Sequence, residues 1–88
     1  MKINELISLF YQATGFTIKR THGGYKFEVT TDLVTAPISL ADIKRRVKAY
    51  CELKASIYEA KAAYCEDTDG ATWFSDCADN WRRTLERV

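Results

Sequence analysis

The stretch from residue 38 to residue 65 most constrains the fold, because its pattern predicts one helix of about 26 residues in a chain of 88 residues. Such a helix is about 39 Å long, whereas a compact globule of this size is about 31 Å across. If the helix is straight, one end leaves the core and offers a surface to a partner. Its start is marked by Ser39, whose hydroxyl can cap the first amides while Asp42 reaches back, and by Ile38, which can pack against Ile43.

This long helix, over about 40–65, carries a broad apolar stripe. The stripe comprises Leu40, Ile43, Val47, Tyr50, Cys51, Ile57, Tyr58 and Cys65, with Leu53, Ala60 and Tyr64 beside it. Lys54 and Lys61 fall inside the stripe, which allows two interpretations. Their methylene stems lie along apolar neighbours while the ammonium groups reach water, or the far half of the helix is not fully covered by the chain itself.

Two elements are predicted before the long helix. A first helix over about 3–14 ends at Gly15, a residue suited to a C-terminal cap. A β-hairpin over about 16–31 turns at Gly23-Gly24, since paired glycines supply the positive φ angles that a tight turn needs. That loop places Lys19 opposite Glu28 and fixes the two faces of the hairpin. The face expected in the core comprises Phe16, Ile18, Arg20, Tyr25, Phe27, Val29 and Thr31.

Two further elements complete the prediction. A third short strand around 33–36 is confined to an edge, because Pro37 cannot donate a ladder hydrogen bond. After a break at Glu66–Gly70, Thr72 is expected to cap a last amphipathic helix over about 73–87. The apolar face of that helix comprises Trp73, Phe74, Cys77, Ala78, Trp81, Leu85 and Val88.

These elements predict a single α+β domain over residues 1–88, ordered α-β-β-(β)-α-α, with the antiparallel hairpin packed against the long helix and the C-terminal amphipathic helix. At 47% hydrophobic and 28% charged residues, the chain has enough apolar material for a small core. Neither a membrane span nor a secretory signal is expected. Three cysteines without paired spacing are expected to be reduced, buried apolar side chains.

Enzyme activity is not expected from the residue types present. The single histidine, His22, falls at the predicted hairpin tip, so no Cys-His or Ser-His-Asp set can be assembled around a positioned base. The cysteines lack the spacing of a zinc site, and the acidic segment at 66–70 lacks the closing glutamate of a calcium loop. We therefore expect no catalytic residues, no metal and no cofactor.

Two kinds of surface remain as candidate partner-binding sites. One is the cluster of cations at the start of the long helix, which the helix dipole disfavours there and which can contact phosphates. The other combines tyrosines, which are enriched in protein-binding hot spots, with the acidic turn. The candidate residues are Lys44, Arg45, Arg46, Lys48, Tyr50, Lys54, Tyr58, Lys61, Tyr64, Glu66, Asp67 and Asp69.

The opening segment Met1 to Ile7 (MKINELI), the short first helix, the hairpin and the two closing helices resemble the small anti-CRISPR proteins of phages and prophages. These proteins are compact, non-enzymatic inhibitors of CRISPR effector nucleases. The resemblance implies a class, a small phage-type protein that blocks a host complex by binding it, and carries over no functional residue.

The leading expectation is thus a phage or mobile-element protein that binds a host protein or ribonucleoprotein, with a CRISPR effector as the suspected target, in the bacterial cytoplasm. The alternative is a small nucleic-acid-binding module that uses the basic start of the long helix. Either function is compatible with a monomer or with a homodimer formed through that helix. Salt separates the two functions, because phosphate binding weakens steeply as salt rises.

Overall fold

The structure is a computed structural model and describes residues 1–21 and 26–88. The described chain forms a helix, a three-stranded sheet and two more helices, so the predicted α+β class is confirmed. The elements are α1 (Ile3–Thr14), β1 (Thr17–Thr21), β2 (Lys26–Thr30), β3 (Thr35–Ile38), α2 (Leu40–Tyr64) and α3 (Thr68–Arg87). The sheet is antiparallel, with strand order β1-β2-β3.

Helix α1 begins and ends at the predicted residues. Gly15 adopts a left-handed conformation with φ 76°, and its N–H donates to the carbonyl of Tyr11. This arrangement satisfies a carbonyl that the helix end would otherwise leave without a partner. Leu6 and Phe10 are buried on one face of α1, and the helix contacts β1.

The pairing of β1 with β2 follows the predicted register. Ile18 lies opposite Val29 and Lys19 opposite Glu28, as a two-residue loop at Gly23-Gly24 requires. The loop itself, with His22 and Tyr25, lies outside the described residues.

The predicted core face is buried only in part: among its described residues Ile18 is buried, Phe27, Val29 and Thr31 are half-buried, and Phe16 and Arg20 are exposed. Phe16 is 41% exposed. Phe16 precedes the first paired residue, Thr17, and its N–H donates to the hydroxyl of Thr14 at 3.1 Å. Because it belongs to the connection after α1 and not to the ladder, the strand does not fix its side chain over the core.

Strand β3 begins two residues later than predicted, because the preceding residues form a turn. The hydroxyl of Thr31 accepts from the N–H groups of Leu33 and Val34 and donates to the carbonyl of Val34. Pro37 lies within β3, opposite Glu28. The strand pairs only with β2 among the described strands, so the edge position expected for proline is confirmed.

The start of α2 combines a confirmed and a corrected prediction. The hydroxyl of Ser39 accepts from the N–H of Asp42 at 3.1 Å, which is the expected cap. The carboxylate of Asp42 does not complete the reciprocal half, since it pairs with Arg45 at 2.7 Å. The cation three residues on competes for the carboxylate that the cap would use.

The buried line along α2 is narrower than the predicted stripe. It consists of Ile43, Val47, Cys51 and Ala55, which follow one another at four-residue spacing. Such a row turns by about 40° per step around the helix axis. The buried side therefore moves around α2, and residues from which it moves away become exposed. The predicted stripe residues that are exposed instead are Leu40, Leu53, Ile57, Ala60 and Tyr64.

Helix α3 begins at Thr68, about a turn earlier than predicted. The carboxylate of Asp67 accepts from the N–H groups of Asp69 and Gly70, at 3.3 Å each, so Asp67 is the N-cap. Gly70 lies in the first turn and does not break the helix. Thr72 is not a cap, because its hydroxyl donates to the carbonyl of Thr68 within the helix.

The described residues form two compact units, Met1–Val47 and Lys48–Val88. The first contains α1, the sheet and the first part of α2. The second contains the remainder of α2 and all of α3, which contact each other through aromatic rings and one ion pair. The single domain over 1–88 stays a prediction.

Candidate functional site

Three of the four cations at the basic start of α2 are exposed, and the four do not all lie on one side of the helix. Arg45 is held by its ion pair with Asp42, Lys44 is half-buried, and Arg46 and Lys48 are exposed. Successive helical residues are about 100° apart around the axis, so residues i and i+2 are about 160° apart. Arg46 and Lys48 therefore lie on nearly opposite sides of α2.

The acidic turn has a structural role. Asp67 caps α3, and Asp69 contributes its N–H to that cap. Glu66 lines a shallow open groove of about 560 Å3 near the start of α3, together with Asp76 and small side chains such as Ala71. The structure thus explains two of the three predicted acidic residues as parts of a helix start.

A third set of predicted residues is brought together with side chains of α3. Within the second unit, four side chains of α2 between residues 50 and 61 lie beside aromatic rings, three of which belong to α3. We call this surface the lysine–aromatic face. It comprises Tyr50, Lys54, Tyr58, Lys61, Trp73, Phe74 and Trp81.

The rings of the lysine–aromatic face pack mainly edge to face. Tyr50 meets Trp81 with ring centroids 5.5 Å apart and planes at 89°, and Tyr58 meets Trp73 at 6.3 Å and 81°. Phe74 lies 6.2 Å from Tyr58 and 5.2 Å from Trp73. These are favourable aromatic geometries, each adding about 0.5–1.5 kcal/mol beyond the buried area. The contacts hold the rings in defined positions.

Both lysines of the face place their ammonium groups over rings. The Nζ of Lys54 lies 5.8 Å from the Tyr50 centroid and 6.0 Å from that of Tyr58. The Nζ of Lys61 lies 5.3 Å from the Tyr58 centroid and 5.7 Å from that of Phe74. Cation–π contacts of this kind contribute about 0.5–1 kcal/mol at exposed sites. They orient two positive charges near aromatic rings, an arrangement that the sequence pattern does not predict.

Trp73 is the main correction to the predicted apolar face of α3, since it is 59% exposed. Ala78, in contrast, is buried. A residue five positions before Ala78 is about 140° away around the helix, which turns Trp73 away from the buried side of α3. That angle was available from the sequence and identifies Trp73 as a candidate surface residue.

An exposed apolar row runs along α2 beside the lysine–aromatic face. Leu53 is 58% exposed, Ile57 38% and Tyr64 88%, and Ala60 is exposed as well. The intervals between successive members are four, three and four residues, so they share one side of the helix. We call these four residues the apolar row. Only Tyr64 was a candidate binding residue at the sequence level.

An ion pair joins α2 and α3 elsewhere in the second unit. The Nε of Arg82 donates to Oε1 of Glu59 at 2.6 Å, and both side chains are about half exposed. The hydrogen bond from Arg82 lowers the pKa of the Glu59 carboxyl; desolvation opposes this effect, and the attraction of the Arg82 charge adds to it. Exposed pairs contribute little to stability, so this contact orients the two helices more than it stabilises them.

The cysteines differ in environment, which corrects the expectation that all three are buried. Cys51 is buried, and burial raises the pKa of its thiol. Cys65 and Cys77 are half-buried. Among the described residues, no group of three or more His, Cys, Asp or Glu side chains could hold a metal ion.

No protein-family model, curated protein or solved structure matches this chain. Within residues 1–21 and 26–88, no helix is long and apolar enough to cross a membrane.

Proposed function

We propose that this protein acts by binding another protein stoichiometrically, without catalysis, and that the lysine–aromatic face is the contact surface. The observation that carries the proposal is the exposure of Trp73 within a packed ring cluster. Trp and Tyr dominate the binding energy of protein interfaces, and the apolar surface that Trp73 exposes to water would contribute favourable free energy when a partner buries it.

The contacts within the face support this proposal, because they reduce the entropy lost on binding. Immobilising a flexible side chain at an interface costs about 0.5–1.5 kcal/mol. Here Trp73 is already packed against Tyr58 and Phe74, and Lys61 is already placed over two rings. A partner would therefore meet side chains that are largely ordered beforehand.

The specific form that we propose is inhibition of a bacterial defence complex, with a CRISPR effector nuclease as the first target to test. It rests on the resemblance of the opening segment and of the order of elements to anti-CRISPR proteins. The test is target-DNA cleavage by purified effectors, measured while the protein is titrated in. Loss of cleavage at an equimolar ratio is expected for an inhibitor that acts by occupying a surface. Unaffected cleavage by every effector in a panel would contradict the proposed inhibition of CRISPR effectors.

The class of partner is tested by affinity capture from bacterial lysate, with and without nuclease and at low and physiological salt. The proposal predicts that one host protein is retained after nuclease treatment at both salt concentrations, since aromatic contacts depend little on salt. Retention of nucleic acid alone, lost at the higher salt, would contradict it. That outcome would favour the alternative, nucleic-acid binding through the basic start of α2.

A further inference from the structure

We infer that the apolar row of α2 docks an amphipathic helix of the partner protein, and that this helix carries acidic residues beside its apolar side. This inference rests on the proposed function and adds the chemistry of the partner. The two lysines of the lysine–aromatic face supply the charges, and the apolar row supplies the hydrophobic surface on which the helix packs.

The spacing of the row defines the shape of its occupant. Leu53, Ile57, Ala60 and Tyr64 follow at intervals of four, three and four residues, and Tyr50 precedes them by three. Alternating intervals of three and four residues form the seam along which two helices pack side by side. An extended strand would not match such a row, because its side chains repeat every two residues.

The charges beside the row define the chemistry of its occupant. Lys54 directly follows Leu53, and Lys61 directly follows Ala60. The two lysines therefore flank the same side of the seam. Residues at these flanking positions pair with charges on the neighbouring helix and determine which partner is accepted. Two lysines held over aromatic rings at this edge therefore favour glutamate or aspartate on the partner.

The α2 helix of a second copy of this chain does not supply those acids. In an antiparallel pair of α2 helices, the lysine flank of one helix faces the lysine flank of the other. In a parallel pair, Lys54 and Lys61 face the opposite flank, where the matching residues are Ala49 and Ser56. Because neither arrangement places an acid opposite a lysine, charge complementarity favours a different protein over self-association through α2.

The test uses two synthetic helical peptides of about three heptads each, with leucine at both seam positions. One has glutamate at all flanking positions and the other has lysine. Binding to the full-length protein is measured by calorimetry at low salt. We expect the glutamate peptide to bind at least tenfold more tightly than the lysine peptide.

Charge-swapped protein makes the test sharper. The double variant Lys54→Glu with Lys61→Glu should reverse the preference and favour the lysine peptide. The matched control, Lys19→Glu with Lys26→Glu, makes the same change of charge on exposed residues of the sheet and should keep the wild-type preference. Equal binding of both peptides, no binding of either, or the same response from both double variants would overturn the inference.

A second pair of variants tests the contact line. Leu53→Ser with Ile57→Ser should weaken binding of the glutamate peptide at least tenfold. Leu33→Ser with Val34→Ser removes two other exposed apolar side chains and should have no effect. Self-association of the wild-type protein that the first pair abolishes would overturn the inference, as would binding to anionic phosphatidylglycerol vesicles in preference to the peptide.

The same variants separate this inference from the proposed function. If affinity capture yields a host protein that Trp73→Ala loses but the Leu53→Ser/Ile57→Ser variant retains, the inference fails and the protein-binding function stands. If no host protein is captured by the wild type, the proposed function fails, whatever the peptides show.

Discussion

At the scale of single residues, Asp67 shows how one side chain sets where an element begins. Replacing it by alanine removes the acceptors of two N–H groups, those of Asp69 and Gly70. We expect Asp67→Ala to lower the free energy of unfolding by about 1 kcal/mol, measured by urea denaturation. Asp67→Asn keeps an acceptor at the cap and should lose clearly less; equal losses for both variants would show that the cap is not the cause.

Gly70 tests a close approach at the same scale. A β-carbon on Gly70 would lie 2.9 Å from the sulfur of Cys65, which itself donates to the carbonyl of Asp67 at 3.4 Å. Glycine to alanine in a helix normally stabilises by about 0.5–1 kcal/mol, but here we expect Gly70→Ala to give no gain.

The matched measurement makes the same substitution in a Cys65→Ala background. There the close contact is absent, so the usual gain of about 0.5–1 kcal/mol should appear in thermal or urea unfolding. Additive effects of the two substitutions would show that the sulfur does not restrict this position.

At the scale of elements, α2 is a helix whose buried line is a single row of four residues. Ala55 is fully buried in that row, whereas Ala63 is exposed. We expect Ala55→Leu to destabilise the protein by about 1–3 kcal/mol through overpacking. Ala63→Leu introduces the same side chain and should change stability by less than about 0.5 kcal/mol. Similar effects at both sites, measured by urea denaturation, would mean that Ala55 is not in a packed line.

The ion pair between α2 and α3 predicts a pH effect at this same scale. Because the folded state lowers the pKa of Glu59, the pair adds stability at pH values above the ordinary carboxyl pKa, and this contribution is lost as the pH falls through the lowered pKa. Arg82→Gln should return the Glu59 pKa towards its ordinary value, measured by NMR titration of the side-chain carboxyl. A titration unchanged by this substitution would show that Arg82 is not the cause.

Elements with explicit local signals were predictable from the sequence. The paired glycines gave the β1–β2 register through loop length alone, and Ser39 marked the start of α2. The start of α3 was misplaced because Gly70 was interpreted as a helix breaker. In the first turn, however, the N–H of Gly70 donates to the carboxylate of Asp67, and Asp67 with Asp69 was the better N-terminal signal.

The candidate site was predictable only in part, for a physical reason. Helical spacing correctly placed Tyr50, Lys54, Tyr58 and Lys61 on one side of α2. It could not say which ring of α3 each would meet, because that depends on the packing of two helices. The exposure of Trp73 is different, because its angular distance from Ala78 follows from helical spacing alone.

At the scale of the whole molecule, the charge distribution matters more than the net charge. The chain carries a formal charge of +1, too small for general attraction to nucleic acid. Two cations are nevertheless concentrated on the lysine–aromatic face, while Glu66, Asp67 and Asp69 lie near the start of α3. Local complementarity, and not overall charge, should therefore select the partner.

The measurement that tests the protein-binding proposal most directly compares capture by two single variants after nuclease treatment, quantified by mass spectrometry. Trp73→Ala removes an exposed ring from the lysine–aromatic face, and Tyr11→Ala removes one from α1 that is 56% exposed. The proposal predicts that a host protein captured by the wild type falls at least tenfold with Trp73→Ala and stays unchanged with Tyr11→Ala. Equal capture by both variants would contradict it.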